Sequence, residues 1–340
     1  MKRFKIGVAL IAVIIINFAI AWLLLQWANN SPPSGERYEV VVGWPQVAAT
    51  LQLGQVSGVG VDPRGEVYLF HRGARNWQGE PLGLDPIQAP TVVVVDSVQG
   101  RLIRQWGADL FVMPHSLTVA PDAAGETHLW FTDVGLHQVL EFDAAGKLLL
   151  TLGERGVAGA DERHFNQPTD VAIAADGSIF VSDGYGNNRI VHFSPAGQFL
   201  QAWGKEGSEP GEFDLPHSIA IDRAGKVYVA DRGNSRLQIF DQGGKFLALW
   251  PRAQVGRPWA VRVDGAGNVY VVDGGDQRSY LPDRARILKF DAAGALLAAF
   301  GAYGSEPGAF IWPHTIAVDT AGSLYVGEVA TGMRVQKFQR

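Results

Sequence analysis

Residues 215–250 read LPHSIAIDRAGKVYVADRGNSRLQIFDQGGKFLALW, four short apolar segments separated by turns rich in Gly, Asp and Asn. The segments are too short for helices that bury a face, and their Val, Ile, Leu, Tyr and Phe content marks them as strands. The phrase returns along the chain. Second strands recur as VYLF (67–70), LWFTD (129–133), IFVSD (179–183), VYVVD (269–273) and LYVGE (324–328). Third strands recur as RIVHF (189–193), RILKF (286–290) and RVQKF (334–338), and fourth strands as KLLLTLG (147–153), QFLQAWG (198–204) and ALLAAFG (295–301). First strands begin near Ser57, His115, Thr169, His217, Trp259 and His314. Six units of four short strands predict an all-β, six-bladed β-propeller.

The sixth unit stops at its third strand. Residues 38–44, YEVVVGW, are strand-like and belong to no other unit, so they are expected to supply the missing edge and close the ring. A net charge of −5 with no basic run beyond residue 5 argues against a nucleic-acid partner. The chain has no cysteine, so disulfides cannot staple it. Residues 1–5 are basic, and Ile6 to Trp27 is largely apolar and about long enough to cross a ~30 Å hydrocarbon core. The reading is a cytoplasmic tip (1–5), a transmembrane signal anchor (6–27), a linker (28–36) and a propeller (37–340). It implies a single-pass protein with its propeller on the extracytoplasmic side.

Whatever recurs in most units is structural; what breaks the repeat needs another reason. Asp133, Asp183, Asp231, Asp273 and Glu328 end the second strands and are read as turn struts, and Arg189, Arg236, Arg286 and Arg334 as braces between strands. Histidines break the pattern in a regular way. Units two, four and six carry His115, His217 and His314, where units one, three and five carry Ser57, Thr169 and Trp259. Blades step by roughly 60°, so alternate blades place three imidazoles about 120° apart around the axis. Three such donors leave a fourth tetrahedral position open, the arrangement of a catalytic zinc site.

Antiparallel pairing puts the start of a first strand and the loop after a second strand at the same mouth. Those loops carry the remaining outliers: Phe70-His71-Arg72-Gly73, Asp183-Gly184-Tyr185-Gly186-Asn187 and Asp231-Arg232-Gly233-Asn234. Guanidinium groups favour a carboxylate through paired hydrogen bonds. A phenol becomes a general base where nearby cations stabilise its anion.

With FHRG, MPHSL, TDVGLHQV, FNQPTDVAI, VSDGYGNNRIVHFS, LPHSIAID, VADRGNSRLQIF and WPHTIAVD, the chain resembles the peptidyl-α-hydroxyglycine α-amidating lyases, among the NHL-repeat propellers, over residues 38–340. The resemblance implies a zinc-dependent lyase that splits the N–C bond of an α-hydroxyglycine, a carbinolamide, into an amide and glyoxylate. It implies His115, His217 and His314 as zinc ligands and Tyr185 as the base. It places Arg72 beside that tyrosine and Arg232 as a further active-site arginine for the substrate carboxylate. It also implies a calcium ion held by the backbone carbonyls of Val59 and Leu117 and by an aspartate after the third histidine. That position is Thr315 here, which removes the one charged ligand of a hard-cation site. A methionine of the family is replaced by Trp312, expected to reshape the substrate pocket. No copper monooxygenase-like stretch precedes the propeller, so a separate hydroxylating enzyme is expected as a partner. Two alternatives stay open: a membrane-anchored, non-catalytic NHL propeller that binds a ligand or serves as a scaffold, and another metal enzyme such as a lactonase.

Overall fold

The computed structural model describes residues 35–47, 51, 53–77, 83–122, 124–276 and 284–340. They form six four-stranded antiparallel sheets. Blade 1 consists of Val56–Val61, Glu66–His71, Val92–Asp96 and Leu102–Trp106, and blade 2 of Pro114–Pro121, Thr127–Asp133, Gln138–Asp143 and Leu148–Leu152. Blade 3 consists of Asp170–Ile173, Ile179–Asp183, Arg189–Phe193 and Phe199–Trp203, and blade 4 of Pro216–Ile221, Val227–Asp231, Arg236–Phe240 and Phe246–Trp250. Blade 5 consists of Pro258–Val263, Val269–Asp273, Arg286–Phe290 and Leu296–Phe300. Blade 6 has Pro313–Val318, Leu324–Glu328 and Val335–Gln339, and Glu39–Val40 completes it.

The middle strands are apolar almost without a break because each blade buries both faces. In blade 4, Val227 and Val229 pack toward blade 3, while Tyr228 and Ala230, on the opposite face, pack toward blade 5. The two-residue period of a strand thus feeds two separate apolar layers, and one such layer lies between each pair of neighbouring blades. Burying one Val in such a layer contributes about 1.5–3 kcal/mol.

The ring closes as its sequence predicts. Glu39 pairs with Gln339 and Val40 with Phe338, antiparallel. Tyr38 stacks on Phe300 with ring centroids 5.1 Å apart, and the buried Lys289 donates to Glu36 at 2.6 Å. The closing segment is therefore held by a sheet edge, an aromatic contact and an ion pair.

The recurring acids are struts. Asp133 accepts the backbone N–H groups of Val112, Met113, Gly135 and Leu136, tying the loop before the first strand to the end of the second. Asp183, Asp231, Asp273 and Glu328 each accept a backbone N–H from the equivalent loop of their own blades, and Arg189, Arg236, Arg286 and Arg334 clamp those carboxylates. These struts set where each first strand enters the channel.

The expected transmembrane helix does not stand. The helix among the described residues, Arg252–Val255, is four residues long, about 6 Å against a ~30 Å core. No helix among the described residues is long and apolar enough to cross a membrane. The expected span 6–27, the basic tip 1–5 and most of the linker 28–36 lie outside the described residues. The membrane as a partner and the single-pass, extracytoplasmic localisation were inferred from that span and are withdrawn with it.

Candidate functional site

His115, His217 and His314 emerge where the first strands of blades 2, 4 and 6 enter the channel, and all three are buried. Their ring centroids are 4.8, 5.0 and 5.0 Å apart, close to an equilateral triangle. The odd blades hold them in place. His115 Nδ1 meets the Thr169 carbonyl at 2.5 Å, His217 Nδ1 the Trp259 carbonyl at 2.6 Å, and His314 Nδ1 the Ser57 carbonyl at 2.9 Å. Ser57, Thr169 and Trp259 are the non-histidine residues of the same register in the next blade, so each even blade's imidazole is oriented by its odd neighbour.

A carbonyl only accepts, so each Nδ1 carries the proton and each Nε2 keeps its lone pair. Burial holds all three imidazoles well below the usual titration range. Neighbouring cations, Arg72 and Arg232 among them, push in the same direction. The result is three neutral nitrogen donors, the protonation state a metal requires. The ligand nitrogens lie within 4.8 Å of one another, a cluster capable of coordinating a metal ion. The carbonyl partners are the outer contacts that fix a metal-binding imidazole.

The outlier loops converge above this collar. Tyr185 Oη lies 3.1 Å from His115 Nε2 and 3.1 Å from His217 Nε2. Arg232 stacks over the Tyr185 ring at 5.5 Å and over Trp259 at 4.2 Å. Its Nε is buried without a hydrogen-bond partner. Arg72 is buried and donates to the Pro114 carbonyl and to Gln55 Oε1, and its guanidinium also lies over Trp77. Burial pushes Arg72 down to about 10, with the Tyr185 phenol opposing that fall, so the guanidinium stays charged at neutral pH. It makes no direct hydrogen bond to the phenol and acts on it as a fixed nearby charge. Trp312, part-buried, lies 6.1 Å from the Trp259 ring and faces the same mouth.

The sequence reading missed several of these supports. Trp77 packs 5.1 Å from Tyr185, and Gln55 holds Arg72; neither lies in a repeated position that could have marked it. His71 stands where the other blades have their acid, opposite Val56. Its Nδ1 accepts the N–H groups of Gly54 and Gly73, so a neutral imidazole does the work of the carboxylate strut. The signal was available, since blade 1 lacks the acid.

Calcium does not fit the channel. The Leu117 carbonyl accepts Arg262 Nη2 at 3.5 Å, and Asp170, the carboxylate beneath the collar, is paired to the same guanidinium at 2.7 Å. Thr315 offers only a buried, unpartnered hydroxyl. Val59 is buried on the first strand of blade 1, where Gly58 allows close approach: a Cβ there would sit 2.7 Å from the Leu117 nitrogen. A dication has no charged ligand left and a cation already beside it.

Residues 165–193 and 213–240 match the NHL repeat. The chain is 36% identical over 319 residues to the peptidylglycine α-amidating monooxygenase of Rattus norvegicus, which covers 88% of this chain and 32% of that protein. It is 41% identical over 204 residues to a probable peptidyl-α-hydroxyglycine α-amidating lyase of Caenorhabditis elegans, covering 56% of this chain and 57% of that one. The chain thus spans about a third of the length of the first of these relatives. Virginiamycin B lyase from Staphylococcus aureus has the same fold, with a TM-score of 0.53 at 11% identity over 85% of this chain and 98% of that one.

Proposed function

We infer the function from a premise: this chain belongs to the NHL-repeat β-propeller lyases of the peptidylglycine α-amidating and peptidyl-α-hydroxyglycine α-amidating family. We propose that it cleaves the N–C bond of an α-hydroxyglycine to an amide and glyoxylate, with zinc held by His115, His217 and His314. One observation carries the proposal: three neutral imidazoles are locked through Nδ1, and the Nε2 atoms of two of them, His115 and His217, lie beside a tyrosine hydroxyl.

Zinc at this collar would supply the positive charge that makes the substrate hydroxyl more acidic. Tyr185 Oη takes the hydroxyl proton; the carbon–oxygen double bond forms as the carbon–nitrogen bond breaks, and the proton passes to the departing amide nitrogen. Arg232 over the Tyr185 ring and the buried Arg72 nearby place positive charge beside the phenol hydroxyl. Arg232 also has the unpartnered buried Nε, the donor a substrate carboxylate would meet. Trp312 and Trp259 form an apolar wall for the acyl portion of the substrate.

Purified protein supplied with zinc and an N-acyl-α-hydroxyglycine is expected to release glyoxylate, and His217→Ala, still folded by circular dichroism, is expected to release none. A folded, zinc-loaded wild type without glyoxylate release would overturn the lyase and leave a ligand-binding propeller.

A further inference from the structure

Directly beneath the collar the channel carries a charged pair that the lyase chemistry does not use. Arg262 Nη1 donates to Asp170 Oδ2 at 2.7 Å, and Nη2 to Asp170 Oδ1 at 3.3 Å, the two-pronged geometry that makes arginine–carboxylate pairs strong. Nη1 also reaches Ser218 Oγ at 3.1 Å and the Val261 carbonyl at 2.9 Å, and Nη2 reaches the Leu117 carbonyl at 3.5 Å. Asp170 is 1% exposed and takes three further donors, Ser218 Oγ at 2.6 Å, Val171 N at 2.9 Å and Ile219 N at 3.2 Å. Four blades meet at this one guanidinium: Leu117 from blade 2, Asp170 from blade 3, Ser218 from blade 4 and Arg262 itself from blade 5.

The remaining space is small. A cavity of about 10 Å³ is lined by the three histidines with Ser116, Asp170, Ser218, Arg262 and Thr315 among others, room for at most one water and not for a hydrated ion. A carboxylate buried this deeply needs a cation, and a propeller whose first strands converge on one axis needs something to tie them there. Arg262 meets both needs with a covalently attached charge.

We propose that the Arg262 guanidinium is the resident cation of the axial channel, filling the electrostatic place of a second metal ion, so that the chain holds its channel together without calcium. The charge is delivered by folding and cannot be chelated away. The inference is independent of what the collar catalyses; it rests on the collar only in counting the collar metal as the single ion.

The test is calcium content and thermal unfolding of the whole protein, dialysed against calcium or against a chelator selective for calcium. Wild type is expected to retain no stoichiometric calcium and to give the same Tm in both buffers. Arg262→Ala is expected to lose Tm and to regain part of it with millimolar guanidinium or calcium but not with sodium chloride of equal ionic strength. Arg262→Lys, which keeps a cation in place if the alanine variant does not fold, is expected to fold and stay indifferent to calcium. Stoichiometric calcium in wild type, a calcium-dependent wild-type or Arg262→Lys Tm, or an Arg262→Ala protein that keeps its Tm or is rescued by neither cation, would overturn the proposal. None of these readouts depends on glyoxylate, so a failed lyase assay and a failed resident cation are told apart.

Discussion

On the mouth side of the histidine collar, Arg232 stacks on two rings and keeps a buried Nε with no partner, while on the other side Arg262 spends its guanidinium on Asp170, Ser218, Val261 and Leu117. Both arginines face the same axis and both are largely withdrawn from water. A buried donor without a partner costs free energy that a ligand can recover. A saturated one contributes to the fold and binds nothing more. The upper arginine thus keeps a donor free for the proposed substrate carboxylate, whereas the lower one is already satisfied within the fold.

The strongest way to break this division is Tyr185→Phe, which removes the hydroxyl beside His115 Nε2 and His217 Nε2. It is expected to lower kcat by ~10²–10⁴-fold, the usual contribution of a general base, while Tm and zinc content stay near wild type. Unchanged kcat would remove Tyr185 from the chemistry.

A second test concerns the strut that differs on the mouth side. Burial pushes His71 down to about 4 from an ordinary 6.5, so the unfolded chain binds a proton near 6.5 that the folded chain refuses until about 4. The stability tied to a neutral His71 is fully present above pH ~6.5 and is lost as pH falls toward ~4. His71→Asn keeps an acceptor that does not titrate. It is expected to flatten the fall of Tm across that window, by up to ~1.4 kcal/mol per pH unit, the limit for one proton. Parallel curves for the two proteins would show that His71 does not titrate against folding.

The smallest effect is expected below the collar. Ser218→Ala deletes a hydroxyl shared among Asp170, Arg262 and the Val261 N–H, and should cost about 1–2 kcal/mol of stability with kcat unchanged. A large fall in kcat with little change in Tm would place this layer in the mechanism and erase the distinction between the two sides.

Much of this was legible in the chain because it repeats. The strands, the struts at Asp133 and its equivalents, the closure by residues near Tyr38 and the threefold spacing of His115, His217 and His314 follow from comparing each unit with the next. Tyr185, Arg72 and Arg232 were legible as breaks in the repeat. The membrane span read from residues 6–27 was not upheld: apolarity over a sufficient length permits a crossing helix but does not establish one, and no such helix is found among the described residues.

The periodic part was therefore written in the chain: six blades of four strands, recurring acidic struts, and a collar of imidazoles on alternate blades. Folding alone brings the orienting backbone carbonyls to those imidazoles and joins Arg262 to Asp170 across 92 positions of chain. The reason is physical. Repetition records the interactions every blade makes with its neighbours, whereas contacts across the axis join non-adjacent blades at unlike residues, and no local pattern encodes a pairing that exists only once the ring has closed.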